Sequence, residues 1–330
     1  MENSFVHPYM PNSVPENKKA MLDELGINSV EDIYKSIIPD ELLYKERLDI
    51  PEPIRSEYEL KRHVMGILNR DITTEEYTSF LGAGCYKHQV PAICDEINSR
   101  GEFLTAYCGD TYSDHGKMQA IFEYTSMMGE LLDTDVVSYT TYDGGQAVAS
   151  SLRMAVRAVR EKGMAGKVIL VPKTMNPEIY SQVVQYCRNV AEVRKIAYEP
   201  ETGLMDLEEL KEQLAKKNVA AVFFENPTYL GNFETRGEEI AKLAHDAGAY
   251  CVVQTEVAAL GIMESPVNQG ADIVCGDIQP LGMHIQFGGG QAGFIACNQN
   301  MDLVEQFPTY MYGITETEKE DTYGWGRAMN

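Results

Sequence analysis

The 330-residue sequence is short of positive charge: it has 28 Lys and Arg against 50 Asp and Glu, a formal net charge of -22. This imbalance argues against binding to a nucleic-acid backbone or to an anionic membrane surface, because like charges repel at long range. Small molecules and protein partners remain as ligands. Because 44% of the residues are apolar, the chain can bury a large core, as one large α/β domain with an N-terminal extension would.

Long apolar runs and paired cysteines are also missing. No run approaches the roughly 18 residues of a membrane span, and the N-terminus lacks the basic and apolar regions of a secretory signal. The seven cysteines include no Cys-x-x-Cys pair, and an odd number cannot be fully paired within one chain. We therefore expect a reducing, cytoplasmic location.

Several catalytic signatures are absent as well. The sequence has no G-x-x-x-x-G-K loop for a nucleoside triphosphate and no G-x-S-x-G elbow for a serine hydrolase. Its histidines are isolated, with no spacing that predicts a metal site. His88 and His284 lie next to glycine-containing loops, where an imidazole can act near neutral pH. The alternative for both is a structural or exposed histidine.

The N-terminal part differs in pattern from the rest of the chain. Proline, charge and short amphipathic pieces predict an arm of short helices over residues 1–78. Over residues 79–330, helical and strand patterns alternate, which predicts a large α/β domain whose mostly parallel sheet has helices on both faces. The predicted helices are 17–25, 30–37, 91–98, 117–132, 144–162, 177–189, 206–216 and 234–247, and the predicted strands are 135–139, 167–171, 192–198, 219–224, 249–253, 271–275 and, last, 293–297.

A paired-glycine turn, Tyr142-Asp143-Gly144-Gly145, leads from a predicted strand into a long helix. The free N–H groups and the dipole at such a helix start can hold a phosphate. A tight strand-to-helix turn without a ligand explains the same glycines equally well. Both interpretations are open at this point.

The corner after the predicted strand 271–275 has the sequence Gly-Asp-Ile-Gln-Pro-Leu-Gly over residues 276–282, and a glycine-rich stretch follows at 287–290. In a pyridoxal-phosphate enzyme of the aminotransferase type, a loop in this frame carries the lysine that binds the cofactor. Pro280 stands there instead, and its ring nitrogen cannot form a Schiff base. If the frame is correct, this chain cannot hold the cofactor covalently.

Such an enzyme also needs an aspartate at a strand end, to keep the pyridine nitrogen protonated and make the ring an electron sink. The candidates here are Gln254, Thr255 and Glu256. Glu256 could serve only in a shifted register, and otherwise it is a solvated charge at a strand end.

Short runs of sequence, spread over nearly the whole chain, are distinctive enough to compare with a known family. They are residues 9–12, 21–26, 48–51, 80–86, 102–107, 119–124, 142–144, 270–274 and 279–282. In these runs the sequence resembles the first (alpha) subunit of the two-subunit bacterial glycine dehydrogenase (decarboxylating), the P-protein of the glycine cleavage system. The loop at Phe80 and the corner at Gln279 are specific to the alpha subunit.

The resemblance implies the large domain of a fold-type-I pyridoxal-phosphate-dependent transferase. It also implies a heteromer in which a beta subunit carries the lysine and the pyridoxal phosphate. The pair would decarboxylate glycine and pass the aminomethyl group to the lipoyl arm of the H-protein, with no nucleic-acid or membrane partner. No catalytic residue is assigned. The residues expected to face the cofactor or the partner are Gly82, Gly84, Cys85, Tyr86, His88, Tyr107, Tyr142, Asp143, Gly144, Gln279, His284 and Gly288.

Some features leave alternatives open. The loop 82–88 is expected to approach the partner or the cofactor pocket, but it could simply be a turn that caps the helix beginning near Pro91. Residues 108–116 replace a proline-containing stretch of the family, and we expect the family's small C-terminal domain to be absent or truncated. The alternative function is therefore a catalytically silent paralogue that serves as a scaffold or regulatory subunit. A free-standing pyridoxal enzyme is disfavoured because Pro280 occupies the corner that Schiff-base geometry requires.

Overall fold

The computed structural model describes residues 6, 9–46, 48–80, 87–104, 115–288 and 291–328, which divide into two compact units with bounds 1–72 and 73–330. The helices are α1 (Pro15–Leu25), α2 (Glu31–Lys35), α3 (Glu57–Leu68), α4 (Ala92–Asn98), α5 (Gly101–Leu104), α6 (His115–Leu132), α7 (Gly144–Glu161), α8 (Pro177–Cys187), α9 (Leu207–Leu214), α10 (Gly237–Asp246) and α11 (Met301–Val304). The strands are β1 (Val136–Val137), β2 (Val168–Pro172), β3 (Glu192–Ile196), β4 (Val219–Asn226), β5 (Tyr250–Thr255), β6 (Ile273–Asp277), β7 (Gly293–Cys297), β8 (Met311–Glu316) and β9 (Tyr323–Ala328).

The first unit consists of short helices. Pro15 begins α1, where its missing N–H costs nothing, and Gly26 ends that helix with a φ of 66°. Ser56 caps α3 by accepting the N–H of Glu59. Two of these helices lie where the sequence predicted them, whereas α3 was not predicted. None of the residues in α1, α2 and α3 is buried.

The second unit is built on a seven-stranded sheet in the order β1-β7-β6-β5-β4-β2-β3. Strands β2 to β6 pair in parallel, β7 runs antiparallel to β6, and β1 runs antiparallel to β7. Every residue of β2, β4 and β7 is buried, as expected for strands covered on both faces. The predicted mostly parallel α/β sheet is confirmed.

Helices on the two faces of the sheet enclose two apolar cores. On one face, α7 and α8 pack against the sheet, with Leu152 and Phe223 fully buried between them. On the other face, α9 and α10 contribute Leu210 and Ile240 to a second core that includes Phe224. Nearly the whole of α7 is buried, so the position of its first turn is fixed by the core. No helix among the described residues is long and apolar enough to cross a membrane.

The prediction that 293–297 is the last strand is wrong. Strands β8 and β9 pair antiparallel in a separate two-stranded sheet. This hairpin packs on α6, where the rings of Phe122 and Trp325 lie 5.1 Å apart. Glycine fits poorly in strands, so Gly313, Gly324 and Gly326 weakened the strand pattern in the sequence.

Candidate functional site

A small cavity of about 60 Å³ lies at the carboxyl ends of the parallel strands. This is where open α/β sheets bind their ligands. Glu225, Gln254 and Asp277 come from the ends of β4, β5 and β6, and Asn176 comes from the loop after β2. By this volume the cavity holds only a few water molecules. Its other lining residues are Ile179, Pro227, Thr228, Tyr229, Thr255, Glu256 and Pro280.

Glu225 is the most deeply buried carboxylate of the cavity, at 5% exposure. Its oxygens accept the backbone N–H groups of Asn176, at 3.0 Å, and of Tyr229, at 3.3 Å. Burial raises the pKa of Glu225 to about 7, although both hydrogen bonds favour the ionised form. The group therefore changes charge near neutral pH.

Asp277 joins the start of α7 to the corner after β6. One carboxylate oxygen accepts the N–H of Gly144 at 3.1 Å, and the other accepts the N–H of Gln279 at 2.7 Å. Burial raises the pKa of Asp277 to about 6, against these two hydrogen bonds, and the charges of Asp143 and Glu256 raise it further. The carboxylate lies at the positive end of the α7 dipole.

The first turn of α7 is closely packed. Asp143 caps the helix by accepting the N–H of Gln146 at 2.6 Å. A Cβ atom on Gly144 would lie 3.1 Å from the Cβ of Asp277, and one on Gly145 would lie 2.7 Å from the side-chain amide of Gln182. Close packing against the Asp277 backbone thus favours glycine at 144, whereas at 145 the neighbour is the end of a flexible side chain that can move aside. The N–H groups of Gly144 and Gln146 are bonded to carboxylates of this chain.

The end of β5 holds the three residues that the sequence offered as partners for a pyridine nitrogen. Thr255 is buried, and its hydroxyl donates to the carbonyl of Asn226 at 3.1 Å. Glu256 begins the 3-10 helix Val257–Gly261 by accepting the N–H of Ala259 at 3.1 Å. The side-chain Oε1 atoms of Gln254 and Glu256 are buried and have no hydrogen-bond partner within the described part of the chain. Glu256 thus has a local structural role.

The corner after β6 forms the short 3-10 helix Gln279–Leu281. Gln279 is buried at 1% exposure, and its side-chain amide donates to the carbonyl of Met283 at 2.8 Å. Pro280 is half-buried and lies on the cavity wall. The structure therefore brings Asp143, Gly144 and Gln279 together around Asp277.

The other predicted site residues lie elsewhere. Tyr142 is 86% exposed at the turn before α7. His88 is half-buried and is not among the lining residues of the cavity. Gly288 ends the 3-10 helix Gln286–Gly288 with a φ of 84° and also lies away from the lining. The predicted residues Gly82, Gly84, Cys85, Tyr86 and Tyr107 lie outside the described residues.

Sequence reasoning missed seven of the lining residues of the cavity, namely Asn176, Ile179, Glu225, Pro227, Thr228, Tyr229 and Asp277. A signal for two of them was present. Glu225 and Asp277 are acidic residues at the ends of otherwise apolar strands, on the edge where parallel sheets bind ligands. Across the described residues, no group of three or more His, Cys, Asp or Glu is arranged to hold a metal ion.

His284 lies in the loop after the corner, and its Nε2 is 3.0 Å from a carboxylate oxygen of Asp95 on α4. The two side chains are 54% and 63% exposed. Their neighbours in the sequence, Cys94 and Met283, line an apolar groove of about 650 Å³ between α4, α6 and this loop.

Replacing Asp95 with asparagine is expected to change the free energy of unfolding by less than about 1 kcal/mol, because water screens an exposed ion pair. Urea unfolding of the variant beside wild type measures this change. Asp23→Asn, which removes the exposed Lys19–Asp23 pair, is the matched control. If Asp95→Asn loses much more unfolding free energy than the control, the pair with His284 holds α4 in place.

The fold defines a class, that of the fold-type-I pyridoxal-phosphate-dependent enzymes. A crystal structure of glycine decarboxylase (P-protein) of the glycine cleavage system, in inhibitor-bound form, matches 98% of this chain and 69% of that chain with a TM-score of 0.78 and 30% identity. The sphingosine-1-phosphate lyase of Burkholderia pseudomallei shares the fold, with a TM-score of 0.56 at 14% identity.

The model of the glycine cleavage system P-protein family matches residues 7–324, and the chain belongs to this family. The probable glycine dehydrogenase (decarboxylating) subunit 1 of Staphylothermus marinus is 35% identical over 94% of this chain and 66% of the relative. The protein of the same description from Pyrococcus horikoshii is 38% identical over 93% of this chain and 67% of the relative. The chain thus spans about two thirds of the length of these relatives.

The lining residues of the cavity do not fit a pyridoxal phosphate group in their present arrangement. A cofactor phosphate at the start of α7 would meet the carboxylates of Asp143 and Asp277. These carboxylates already accept the N–H groups of Gln146 and Gly144 in the first turn of the helix. No lysine is among the lining residues within the described chain. A cavity of about 60 Å³ is also far below the several hundred cubic ångströms of a typical ligand pocket.

Proposed function

We propose that this chain is the alpha subunit of a glycine dehydrogenase (decarboxylating) and acts with a beta subunit that carries the Schiff-base lysine and the pyridoxal phosphate. The pair decarboxylates glycine and transfers the aminomethyl group to the lipoyl arm of the H-protein. The observation that carries the proposal is Pro280, which lies on the wall of the strand-end cavity in the corner after β6. In the proposal, this corner is the place where an enzyme of this fold holds its lysine. A proline there cannot form the Schiff base.

Two further observations support this division of labour. The similar proteins are described as subunit 1, which implies a second subunit. The strand-end cavity of this chain is also small and acidic, with three carboxylates among its lining residues. In the proposal, the heteromer is cytoplasmic, and the predicted loop 82–88 faces the beta subunit or its cofactor pocket.

The test is glycine-dependent exchange of labelled bicarbonate with the carboxyl carbon of glycine. We expect no exchange from this chain alone and exchange at least tenfold above background when it is mixed with a beta subunit. A beta subunit whose Schiff-base lysine is replaced by alanine is the matched control, and it should bind this chain without restoring exchange.

Each result separates the candidate functions. Exchange that does not rise on mixing, while the two chains bind each other, would overturn the proposal and favour the scaffold or regulatory subunit. Exchange by this chain alone, with a visible absorption band that borohydride abolishes, would show that it holds its own cofactor and would also overturn the proposal.

A further inference from the structure

The start of α7 has the features of an anion site. The N–H of its first residue, Gly144, faces Asp277, which lines the strand-end cavity, and in many α/β folds such a helix start binds a phosphate. Here the anion belongs to the chain itself. Asp277 accepts the N–H of Gly144 at 3.1 Å, and Asp143 accepts the N–H of Gln146 at 2.6 Å.

Asp277 is held firmly in this position. Its second oxygen accepts the N–H of Gln279 at 2.7 Å, so the carboxylate bridges two backbone segments. Its Cβ lies so close to the helix that a Cβ on Gly144 would approach it to 3.1 Å. On the other side of the turn, Gln182 fills the space above Gly145 and its amide approaches Asp143 at 3.5 Å. Side chains of this chain therefore occupy the approach to the helix from two sides.

We infer that Asp277 is a built-in counter-ion that replaces a ligand phosphate at the start of α7 and closes this cavity to phosphorylated ligands. The carboxylate satisfies the N–H of Gly144, stabilises the positive end of the helix dipole, and repels a second anion at close range. This closure rests on the geometry of this chain alone. It can therefore fail while the proposed function stands, and the reverse is also possible.

The experiment is a calorimetric titration of the full chain with inorganic phosphate at pH 8, where Asp277 is ionised because its pKa is about 6. We expect no saturable binding by wild type at millimolar phosphate. Asp277→Ser removes the carboxylate and leaves space for an anion beside Gly144, so we expect its phosphate affinity to be at least tenfold higher than that of wild type.

The matched control is Glu256→Ser. It removes one negative charge from the same cavity and keeps a residue that can cap the following 3-10 helix, but it leaves the contact between Asp277 and Gly144 in place. If Asp277 acts as a specific counter-ion, this control should bind phosphate no better than wild type. An equal gain in both variants would mean that the total negative charge excludes phosphate, and the inference would be wrong.

Asp277→Asn keeps the size of the side chain and one acceptor oxygen, and it serves as the second variant if Asp277→Ser does not fold. Circular dichroism establishes the folded state of each variant. We expect at least a threefold gain in phosphate affinity for Asp277→Asn over wild type. A folded variant without that gain would overturn the inference, as would a wild-type chain that binds phosphate as tightly as Asp277→Ser.

Discussion

Replacing Gly276 with alanine is expected to destabilise the protein by about 3 kcal/mol or more. Gly276 lies in β6 between β5 and β7, where an added Cβ would be 2.3 Å from the carbonyl oxygen of Thr255 and 3.0 Å from the ring of Phe294. The first of these atoms belongs to the backbone of a central strand and cannot turn away. The strands would have to separate, and the loss should appear as a lower midpoint in urea unfolding.

The matched control for this prediction is Gly313→Ala in β8. A Cβ on Gly313 would meet nothing within 4 Å. Because alanine loses less backbone entropy than glycine on folding, we expect this variant to be neutral or stabilised by up to about 1 kcal/mol. Equal losses at the two positions would mean that the close contact at Gly276 relaxes without cost.

Gly276 also bears on the candidate site, because Asp277 follows it directly. If the strand shifted to make room for a Cβ, the carboxylate of Asp277 would move relative to the N–H of Gly144. A partly folded Gly276→Ala variant would then be expected to lose the closed arrangement at the start of α7 together with its stability.

The parts of the fold that the sequence predicted are those with a strong local pattern. Helix α7 has a capping aspartate, a glycine pair and a long amphipathic stretch, and its predicted range of 144–162 differs by one residue from the observed Gly144–Glu161. The buried parallel strands form continuous apolar runs that alternate with helices. By contrast, β1 is only two residues long where five were predicted, because its pairing with β7 is short.

The candidate site was harder to predict because its central contact is not local. The N–H of Gly144 and the carboxylate of Asp277 are 133 positions apart in the sequence, and only the order of strands in the sheet brings them together. The sequence did predict a corner after β6 and a glycine turn at the start of α7. It could not show that a carboxylate of the same chain already accepts a hydrogen bond from the start of the helix, because both interpretations of that turn require the same glycines.

Glu225 is expected to make the protein less stable as the pH rises from about 4.5 to about 7. Its carboxyl group has a pKa near 4.5 in the unfolded chain and about 7 when folded, so within this range the folded state holds a proton that the unfolded state has lost. The free energy of unfolding should therefore fall by roughly 3 kcal/mol on account of this group. Asp277 also lowers the free energy of unfolding as the pH rises, over the lower range from about 3.8 to about 6, because its pKa is raised in the folded chain.

Replacing Glu225 with glutamine should remove the part of this pH dependence that Glu225 causes. Glutamine keeps one acceptor oxygen for the N–H of Asn176 but carries no charge. The variant should therefore become more stable relative to wild type as the pH rises. Urea unfolding at pH 4.5 and at pH 8 gives the measurement. The difference in stability between variant and wild type should shift by roughly 3 kcal/mol in favour of the variant.

Glu238→Gln, at an exposed position on α10, is the control and should show no such shift. If Glu225→Gln tracks wild type at both pH values, the buried carboxyl group ionises as easily in the folded chain as in water, and the argument from its burial is wrong.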